Sequence, residues 1–527
     1  MPITFREIKN YREKTIKSKH RKRITLVLGL LMVAILGPSL FLLRRDVSLL
    51  EDLSFIKPSP TEIPIKTIKH YFVPVVKFKD PRNDISLDAL KASELITTSE
   101  EVDIFPDGYQ ADVVSSDVFA EELVGGKIGI LKTDHVTADL KTLAIDGISL
   151  WDSDMNLETY PLTSIEKIPG ESGELIDFDE NELSTIFIGG EIIPARAVDR
   201  IGLNVNNNYT YLYDNVRQMT EGADLAIAQL ENPLMGNPTP CTGCVVFIGD
   251  EQNAKGFAEV GFDFLAASGN HMGDGGQQAL TRTVEVLTEN NIQFTGIGKG
   301  EEEQLKPAIK EIKGRKIGMI SADDVAYFYW STDPAVYGVN SFSNAANGTL
   351  TINQEKVAKI KQIKEINDID YLIVYESWGV EYTNKANSHQ VDLAHLFIDN
   401  GADLVVASHP HWVQNIEFYK GKPIFYALGN FIFDQTHTLP TRQSIVLNLV
   451  YYMGELKSIG IVPLQTCGYH QTTNNLTAKY LSGELTIEGL NAIPEKDGCV
   501  YWQPRVVTPL DSQYNTIMNR VFEFSSL

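Results

Sequence analysis

Positive charge, cysteine and long apolar runs are all scarce in this chain of 527 residues, and each scarcity excludes a class of protein. The 46 Lys+Arg face 69 Asp+Glu, and the net charge of −23 excludes a general nucleic-acid binder, which needs a basic face to displace counterions from phosphate. Four cysteines are too few for a disulfide-dense scaffold and too scattered for a four-cysteine zinc site. The remaining composition, 43% hydrophobic and 9% aromatic, predicts a packed protein of two or three domains.

The one long apolar run directly follows the one basic stretch. Residues 1–23 hold nine Lys+Arg and two acids, so this +7 leaves −30 on the rest of the chain. Ile24–Leu43 is an uncharged run of twenty residues, which at ~1.5 Å per residue spans the ~30 Å of a hydrocarbon core. Because basic flanks stay in the cytoplasm, we predict a cytoplasmic tail (1–23), a single-pass anchor (24–43) in the cell membrane and extracytoplasmic main domains. A cleaved signal peptide is the alternative.

Beyond the anchor, the sequence pattern divides the chain into a linker and three regions. Prolines mark the linker, residues 44–65. Residues 66–183 read as an α+β region, and their segment 126–151 loosely resembles one lobe of extracellular solute-binding proteins; a plain spacer is the alternative. Residues 184–463 alternate short apolar runs with helical patterns, which predicts an α/β domain. Residues 464–527 are rich in turns and β-like runs and predict a small β-rich C-terminal extension.

Polar clusters follow the predicted strands of the α/β domain. They include Glu191 with Arg196, then Glu231, then Asn270 with His271 and Asp274, then Trp378 with Glu381, then His409 with His411, and Asn430. Because functional groups of α/β sheets gather beyond the carboxyl ends of the strands, we expect these clusters to meet. Carboxylate, amide and paired imidazole ligands suit a divalent metal, and a neighbouring histidine can protonate a leaving oxygen. The structural alternatives are hydrogen-bonded core histidines and, for Glu231, a carboxylate that caps a turn.

Four segments of the α/β domain stand out: ADLAIAQLENPL, GFDFLAASGNHMGDGGQQALTRTVEVLTENNIQFTGIG, WGVEY and GADLVVASHPHWVQNIEFYKGKPIFYALGNFIFD. Together they resemble the capsule-synthesis CapA family, whose members are similar to calcineurin-like metallophosphoesterases. The resemblance implies an αββα sandwich of two mixed sheets with the site on one edge. It also implies a role in making, exporting or anchoring poly-γ-glutamate or a similar bacterial capsule polymer.

The residues and the resemblance together predict roles at this edge. The predicted metal ligands are Glu191, Glu231, Asn270, His409 and His411; the catalytic residues are His271 and Asp274; the substrate-binding residues are Arg196, Trp378, Glu381 and Asn430. The cofactor is a divalent metal, Mn, Zn or Mg. The partners are the membrane and an anionic polymer or capsule machinery, and no nucleic acid.

Three positions depart from the family pattern. Gly190-Glu191 stands for Gly-Asp, Gln229-Leu230-Glu231 for Asn-Leu-Glu, and Ser377-Trp378-Gly379 for His-Trp-Gly. Serine is a poor neutral ligand for Zn or Mn, so we expect one ion, a weak pair, or none. The chain is therefore either a metal-dependent hydrolase or transferase with a partly altered site, or a non-catalytic protein that binds or tethers polymer.

The cysteines suit an extracytoplasmic location. Cys241 and Cys244 could form a local disulfide, a redox pair or half of a zinc site, of which the disulfide is our prediction. Cys467 and Cys499 could close a loop of about 33 residues, which the chain-entropy account values at roughly 3–4 kcal/mol.

Overall fold

The computed structural model of the chain describes residues 64–152, 155–196, 198–199, 208–236, 245–466 and 503–527. The predicted tail, the anchor and most of the linker lie outside these ranges, and so do the four cysteines. Within the described ranges, no helix is long and apolar enough to cross a membrane. Ile65–Leu527 forms one compact unit.

A seven-stranded sheet organises the N-terminal region around one long strand. Strand β1 pairs antiparallel with three of the others, because its length gives each of them a separate stretch of backbone. The strands are β1 (Ile65–Lys77), β3 (Leu95–Thr98), β4 (Ala111–Val114), β5 (Ile128–Lys132), β6 (Leu140–Thr142), β8 (Thr163–Pro169) and β9 (Gly173–Ile176), beside the small pair β2 (Asp84–Ile85) and β7 (Ala144–Ile145).

The following region contains an eight-stranded sheet, sheet I, in the order β13-β12-β11-β10-β25-β26-β27 with β24 beside β10. Strands β10 to β13 run parallel, and β25 to β27 continue the sheet antiparallel. Its strands are β10 (Leu183–Ile192), β11 (Leu225–Leu230), β12 (Phe264–Ala266), β13 (Gln293–Thr295), β24 (Asn430–Ile432), β25 (Gln443–Tyr452), β26 (Glu455–Thr466) and β27 (Pro504–Val506).

A six-stranded sheet, sheet II, has the order β15-β16-β20-β21-β23-β22. Its four central strands are parallel and apolar, as expected of strands that are covered on both faces. Its strands are β15 (Ala308–Ile312), β16 (Arg315–Asp323), β20 (Tyr371–Ser377), β21 (Leu404–Ser408), β22 (Ile416–Tyr419) and β23 (Lys422–Phe425). Two further pairs are β14 (Ile297–Lys299) with β17 (Tyr337–Val339) and β18 (Ser343–Ala346) with β19 (Thr349–Ile352).

Nine helices are described within these ranges: α1 (Leu87–Ala92), α2 (Phe119–Glu122), α3 (Arg217–Glu221), α4 (Gln252–Glu259), α5 (Gly276–Glu289), α6 (Gly300–Gln304), α7 (Gln354–Ile366), α8 (Ser388–Asp399) and α9 (Tyr514–Phe522). The two large sheets pack face to face around one apolar cluster, which includes Ile186, Ile227, Phe264, Met319, Ile373 and Val406. Helices α4 and α5 pack on the outer face of sheet I, and α7 and α8 pack on that of sheet II. The α/β class with two mixed sheets is thus confirmed, and helices cover both outer faces.

The C-terminal part differs from the β-rich extension that we predicted from residue 464. Position 464 falls inside β26, which is the long hairpin partner of β25, so the extension begins within sheet I. The described residues of the extension form one short strand, β27, and the helix α9. The apolar spacing of Tyr514, Ile517 and Val521 is helical, and these side chains pack into the cluster between the sheets.

Strand β10 is interrupted just before Glu191. The pairing of β10 with β11 shifts register between Ile188 and Glu191, at the Gly189-Gly190 step. A Cβ atom at Gly190 would lie far inside van der Waals contact with the main-chain oxygen of Gly429, so the close approach of β24 requires glycine there. This bulge sets the direction of the Glu191 side chain.

We expect Gly190→Ala to lower the free energy of unfolding by about 1–3 kcal/mol, because the added methyl group separates two paired strands. Gly460→Ala in sheet I is the matched control, since its nearest neighbour would be 3.3 Å away. Urea denaturation measures both changes. Equal stabilities of the two variants would show that the bulge tolerates a side chain.

Candidate functional site

Four predicted site residues lie in direct contact, one near the end of β10 and the others just beyond the ends of β12 and β21. The main-chain N–H of His409 donates to Glu191 Oε2 at 3.3 Å, and His411 Nδ1 lies 2.7 Å from Glu191 Oε1. His409 Nδ1 is 3.0 Å from Asn270 Oδ1. The site therefore joins both large sheets at one edge, as the strand-end rule predicted.

Glu191 and Glu231 are fully buried and have opposite electrostatic environments. Burial alone would raise the pKa of Glu191, but His411 and His409 outweigh it and lower the pKa. For Glu231, burial raises the pKa well above its usual range, and the charges of Glu191, Asp323 and Asp274 raise it further. Oε1 of Glu231 accepts no hydrogen bond from the described residues, whereas Oε1 of Glu191 has the His411 contact.

The pKa values of His409 and His411 also shift in opposite directions. Burial, followed by repulsion from His411, lowers the pKa of His409 to about 3. Burial also disfavours charge on His411, but Glu191 outweighs it and raises that pKa. Both residues have a left-handed backbone, with φ of 92° at His409 and 58° at His411. Such conformations are unfavourable for residues other than glycine, and they cluster at functional sites.

His271 lies beside this cluster and is oriented by Asp274. Asp274 Oδ2 lies 2.9 Å from His271 Nδ1 and accepts a hydrogen bond from the main-chain N–H of Phe247 at 2.7 Å, while Oδ1 accepts one from Tyr329 Oη at 2.7 Å. Because Nδ1 is engaged, Nε2 is the ring nitrogen that can exchange a proton with a ligand. Asp274, predicted as catalytic, is a positioning residue whose two oxygens are already used.

Of the predicted substrate-binding residues, Arg196 and Glu381 lie on the solvent side of the site, whereas Asn430 is buried behind it. Arg196 forms an ion pair with Asp434 and lies over the rings of Phe247 and Phe433, 4.7 and 5.0 Å from their centroids. Glu381 is on the exposed rim, with Oε1 4.0 Å from His411 Nε2. Asn430 is buried and accepts from His411 Nδ1 at 2.9 Å. It therefore orients a site histidine from behind and does not face an incoming ligand.

Trp378 does not lie in the site, which corrects our prediction that it binds substrate. Its side chain is fully buried in the apolar layer outside sheet II, stacks near Phe397 and donates from Nε1 to Tyr426 O at 2.8 Å. The side chains that follow β20 alternate between the two faces of the sheet, and Trp378 takes the outer one.

The sequence analysis missed Asp323, the last residue of β16. It is fully buried, pairs in register with Ser377 and accepts a hydrogen bond from Ser377 Oγ at 3.1 Å. Burial raises the pKa of Asp323 to about 7. The rule that found the other clusters also applies here, because Asp323 follows the apolar run of β16.

The donor types at the site fit a divalent cation. The Oε1 atoms of Glu231 and Gln229 are buried and accept no hydrogen bond within the described residues, and the neighbouring Glu191 contacts His411. A cation would satisfy these oxygens and offset the repulsion between the carboxylates. Within the described residues, no three His, Cys, Asp or Glu side chains converge closely enough to chelate one ion as they stand.

We expect Trp378→Ala to lower the free energy of unfolding by about 3–5 kcal/mol, as for other large buried aromatic residues. The Mn²⁺ affinity of the folded protein should not change. Denaturation and calorimetric titration measure the two effects. The exposed Phe524→Ala variant controls for the loss of an aromatic ring. Weakened Mn²⁺ binding in folded Trp378→Ala would show that this residue supports the site after all.

Residues 185–435 match the family described as bacterial capsule synthesis protein PGA_cap. The capsule biosynthesis protein CapA of Bacillus anthracis is 29% identical over 276 residues, which cover 51% of this chain and 64% of that protein. The PGA biosynthesis protein CapA of Bacillus subtilis (strain 168) is 28% identical over 337 residues, 62% of this chain and 84% of that protein.

Among solved structures, an NAD nucleotidase of Haemophilus influenzae superposes with a TM-score of 0.32 and 13% identity, covering 59% of this chain and 68% of that one. Similarity at this level does not define a shared activity. The family match spans the strands that carry Glu191, Glu231, Asn270, His409 and His411. Residues 185–435 of this chain are thus similar to the bacterial capsule synthesis family PGA_cap, as are the two Bacillus relatives to the chain.

Proposed function

We propose that this protein acts outside the cytoplasm in the synthesis or export of a bacterial capsule polymer, poly-γ-glutamate or a similar polyanion. Ile24–Leu43 would anchor it in the membrane. The observation that carries the proposal is the buried cluster of Glu191, Glu231 and two histidines within the segment that matches the capsule family. The names of the two Bacillus relatives, capsule biosynthesis and PGA biosynthesis, support the polymer class.

The residues that would hold a divalent ion are Glu191, Glu231, Asn270, His409 and His411. A bound ion would act as a Lewis acid that polarises a phosphoryl or carbonyl oxygen. Asn270 keeps His409 in place through Nδ1, which leaves Nε2 of the neutral ring with a lone pair for a ligand. Asn430 Oδ1 likewise contacts Nδ1 of His411, so Nε2 of that ring would bind the ion after losing any proton it carries.

His271 would supply the proton for the leaving group from Nε2. Its Nδ1 is fixed by the Asp274 carboxylate, and Tyr329 and Phe247 hold that carboxylate in turn. The side chain of His271 retains 19% of its exposure, so a ligand at the edge can reach it. This arrangement favours hydrolysis or transfer at a phosphoryl or amide centre.

The charge of the protein bears on how a polyanion could bind. The residues after the basic tail carry −30, which repels a polyanion at long range, although charges are screened beyond ~8 Å at physiological salt. Arg196, the cation at the rim, is already paired with Asp434. Local attraction at the site would therefore depend on a bound cation.

We expect His271→Gln to lower turnover by about 10²- to 10⁴-fold, the usual contribution of a general acid, with unchanged Mn²⁺ content. The assay uses full-length protein in detergent with Mn²⁺, on poly-γ-glutamate and on an aryl phosphodiester. His395→Gln is the matched control, because this histidine stacks on Tyr419 and contacts Glu417 at 2.8 Å, outside the site.

The same protein distinguishes catalysis from tethering. We expect EDTA to abolish both turnover and polymer binding, and Mn²⁺ to restore them. Polymer binding that persists unchanged in EDTA, without turnover by the untreated protein, would support the non-catalytic tethering role and remove the metal from the account.

The membrane topology of the protein can be tested separately from its chemistry. Protease added to intact cells should release a large fragment and leave a short membrane-bound tail that contains Ile24–Leu43. A fluorescent protein fused before Met1 and kept in the cytoplasm is the internal control. Recovery of mature protein from the medium, beginning after residue 43, would instead demonstrate cleavage.

A further inference from the structure

Position 377 has a serine where the family pattern has a ligand-type imidazole, and the structure provides a neighbour that can replace it. Ser377 ends β20, and its register partner on β16 is Asp323. Both side chains are fully buried, and Ser377 Oγ donates to Asp323 Oδ1 at 3.1 Å. The Asp323 carboxylate therefore lies next to the space that a larger side chain at position 377 would fill.

Glu376, the nearest carboxylate in sequence, is excluded by the alternation of β20. Residues 371, 373 and 375 belong to the cluster between the sheets, whereas residues 372 and 374 belong to the outer layer. Glu376 follows the second set. The Glu376 side chain therefore lies on the outer face of sheet II, which α7 and α8 cover, away from the cluster between the sheets.

Asp323 is held rigidly but its charge is not balanced. Oδ2 accepts hydrogen bonds from the main-chain N–H of Ala326 at 2.8 Å and from Trp330 Nε1 at 3.0 Å, while Ser377 is the partner of Oδ1. All three donors are neutral, and no Lys, Arg or His of the described ranges lies within 4.0 Å of this carboxylate. A buried carboxylate without a positive partner is unfavourable unless a proton or a cation joins it.

The strand register brings the same carboxylate to the end of sheet II that carries the histidines. Ser377 pairs with Asp323 on β16 and with Ser408 on β21, and Ser408 directly precedes His409. Glu231 Oε1 also has no hydrogen-bond partner within the described ranges. Three buried carboxylates therefore lie at strand ends of the two large sheets. Glu191 and Glu231 belong to sheet I, and Asp323 belongs to sheet II.

We propose that Asp323 is a metal ligand of this chain and replaces, from the neighbouring strand, the imidazole that is absent at position 377. This inference rests on the proposed function, because it concerns the same cation. Exchange of a nitrogen ligand for a carboxylate oxygen makes the donor set harder, so the site should prefer Mn²⁺ or Mg²⁺ to Zn²⁺ more than a site with the imidazole does.

The test is binding of Mn²⁺ alone to the full-length protein in detergent, by calorimetry and by elemental analysis. We expect Asp323→Asn to lose one ion per chain or to bind it about 10- to 100-fold more weakly. Asp324→Asn is the matched control: it is an adjacent buried carboxylate, but it accepts from Ser341 and contacts His389, on the outer side. Its Mn²⁺ binding should equal that of the unaltered protein.

A rescue variant separates ligation from a structural role. Adding Ser377→His to Asp323→Asn should restore the lost ion and shift the preference toward Zn²⁺, which a structural carboxylate would not explain. Denaturation without metal verifies that each variant is folded, and the near-isosteric Asp323→Asn result stands alone if the double variant is not. Wild-type affinity in Asp323→Asn would overturn this inference and leave the proposed function intact. A wild-type protein that binds no Mn²⁺ would overturn both.

Discussion

Buried negative charge at the shared edge of two sheets is the constraint on which the rest of this structure depends. Glu191, Glu231 and Asp323 are each fully removed from water, where a lone carboxylate is strongly unfavourable. Glu191 is balanced by the raised pKa of His411, whereas Glu231 and Asp323 have only neutral donors or repulsive neighbours. Each of these two carboxyl groups therefore requires a proton or a cation to remain buried.

The fold supplies this arrangement by directing strand ends to one place. The two sheets contribute roughly equally, since Glu191 and Glu231 come from sheet I and Asp323 and the histidines from sheet II. A bulge at Gly190 and the second row of hydrogen bonds, from Asn270 and Asn430 to the imidazoles, then fix the direction of each donor. Positioning of this kind is what separates a functional edge from a collection of polar loops.

The parts of the molecule that were predictable from sequence are those governed by local rules. Apolar runs and helical spacing gave the α/β class, and the strand-end rule gave the contact between Glu191, Asn270, His409 and His411. Side-chain direction was not predictable, because it depends on register. Trp378 follows a strand as a ligand would, yet alternation places it in the outer layer.

Contacts between residues that are far apart in sequence were not predictable either. Asp323 and Ser377 are neighbours because β16 and β20 pair, and Tyr329 reaches Asp274 across 55 residues. The position of residue 464 in the sheet depends on pairing in the same way. Leu464 lies within β26, whose partner β25 precedes it by only a short turn.

The backbone at the site has an evolutionary consequence. Arg196, Tyr382, His409 and His411 all adopt positive φ, and conformations of this kind cost about 1–3 kcal/mol each for residues other than glycine. The machinery is thus maintained against the stability of the protein that carries it. A lineage released from the need for this chemistry would gain robustness by relaxing these four positions first. Their identities across descendants would then record when selection on the site ended, even where the surrounding fold had not changed.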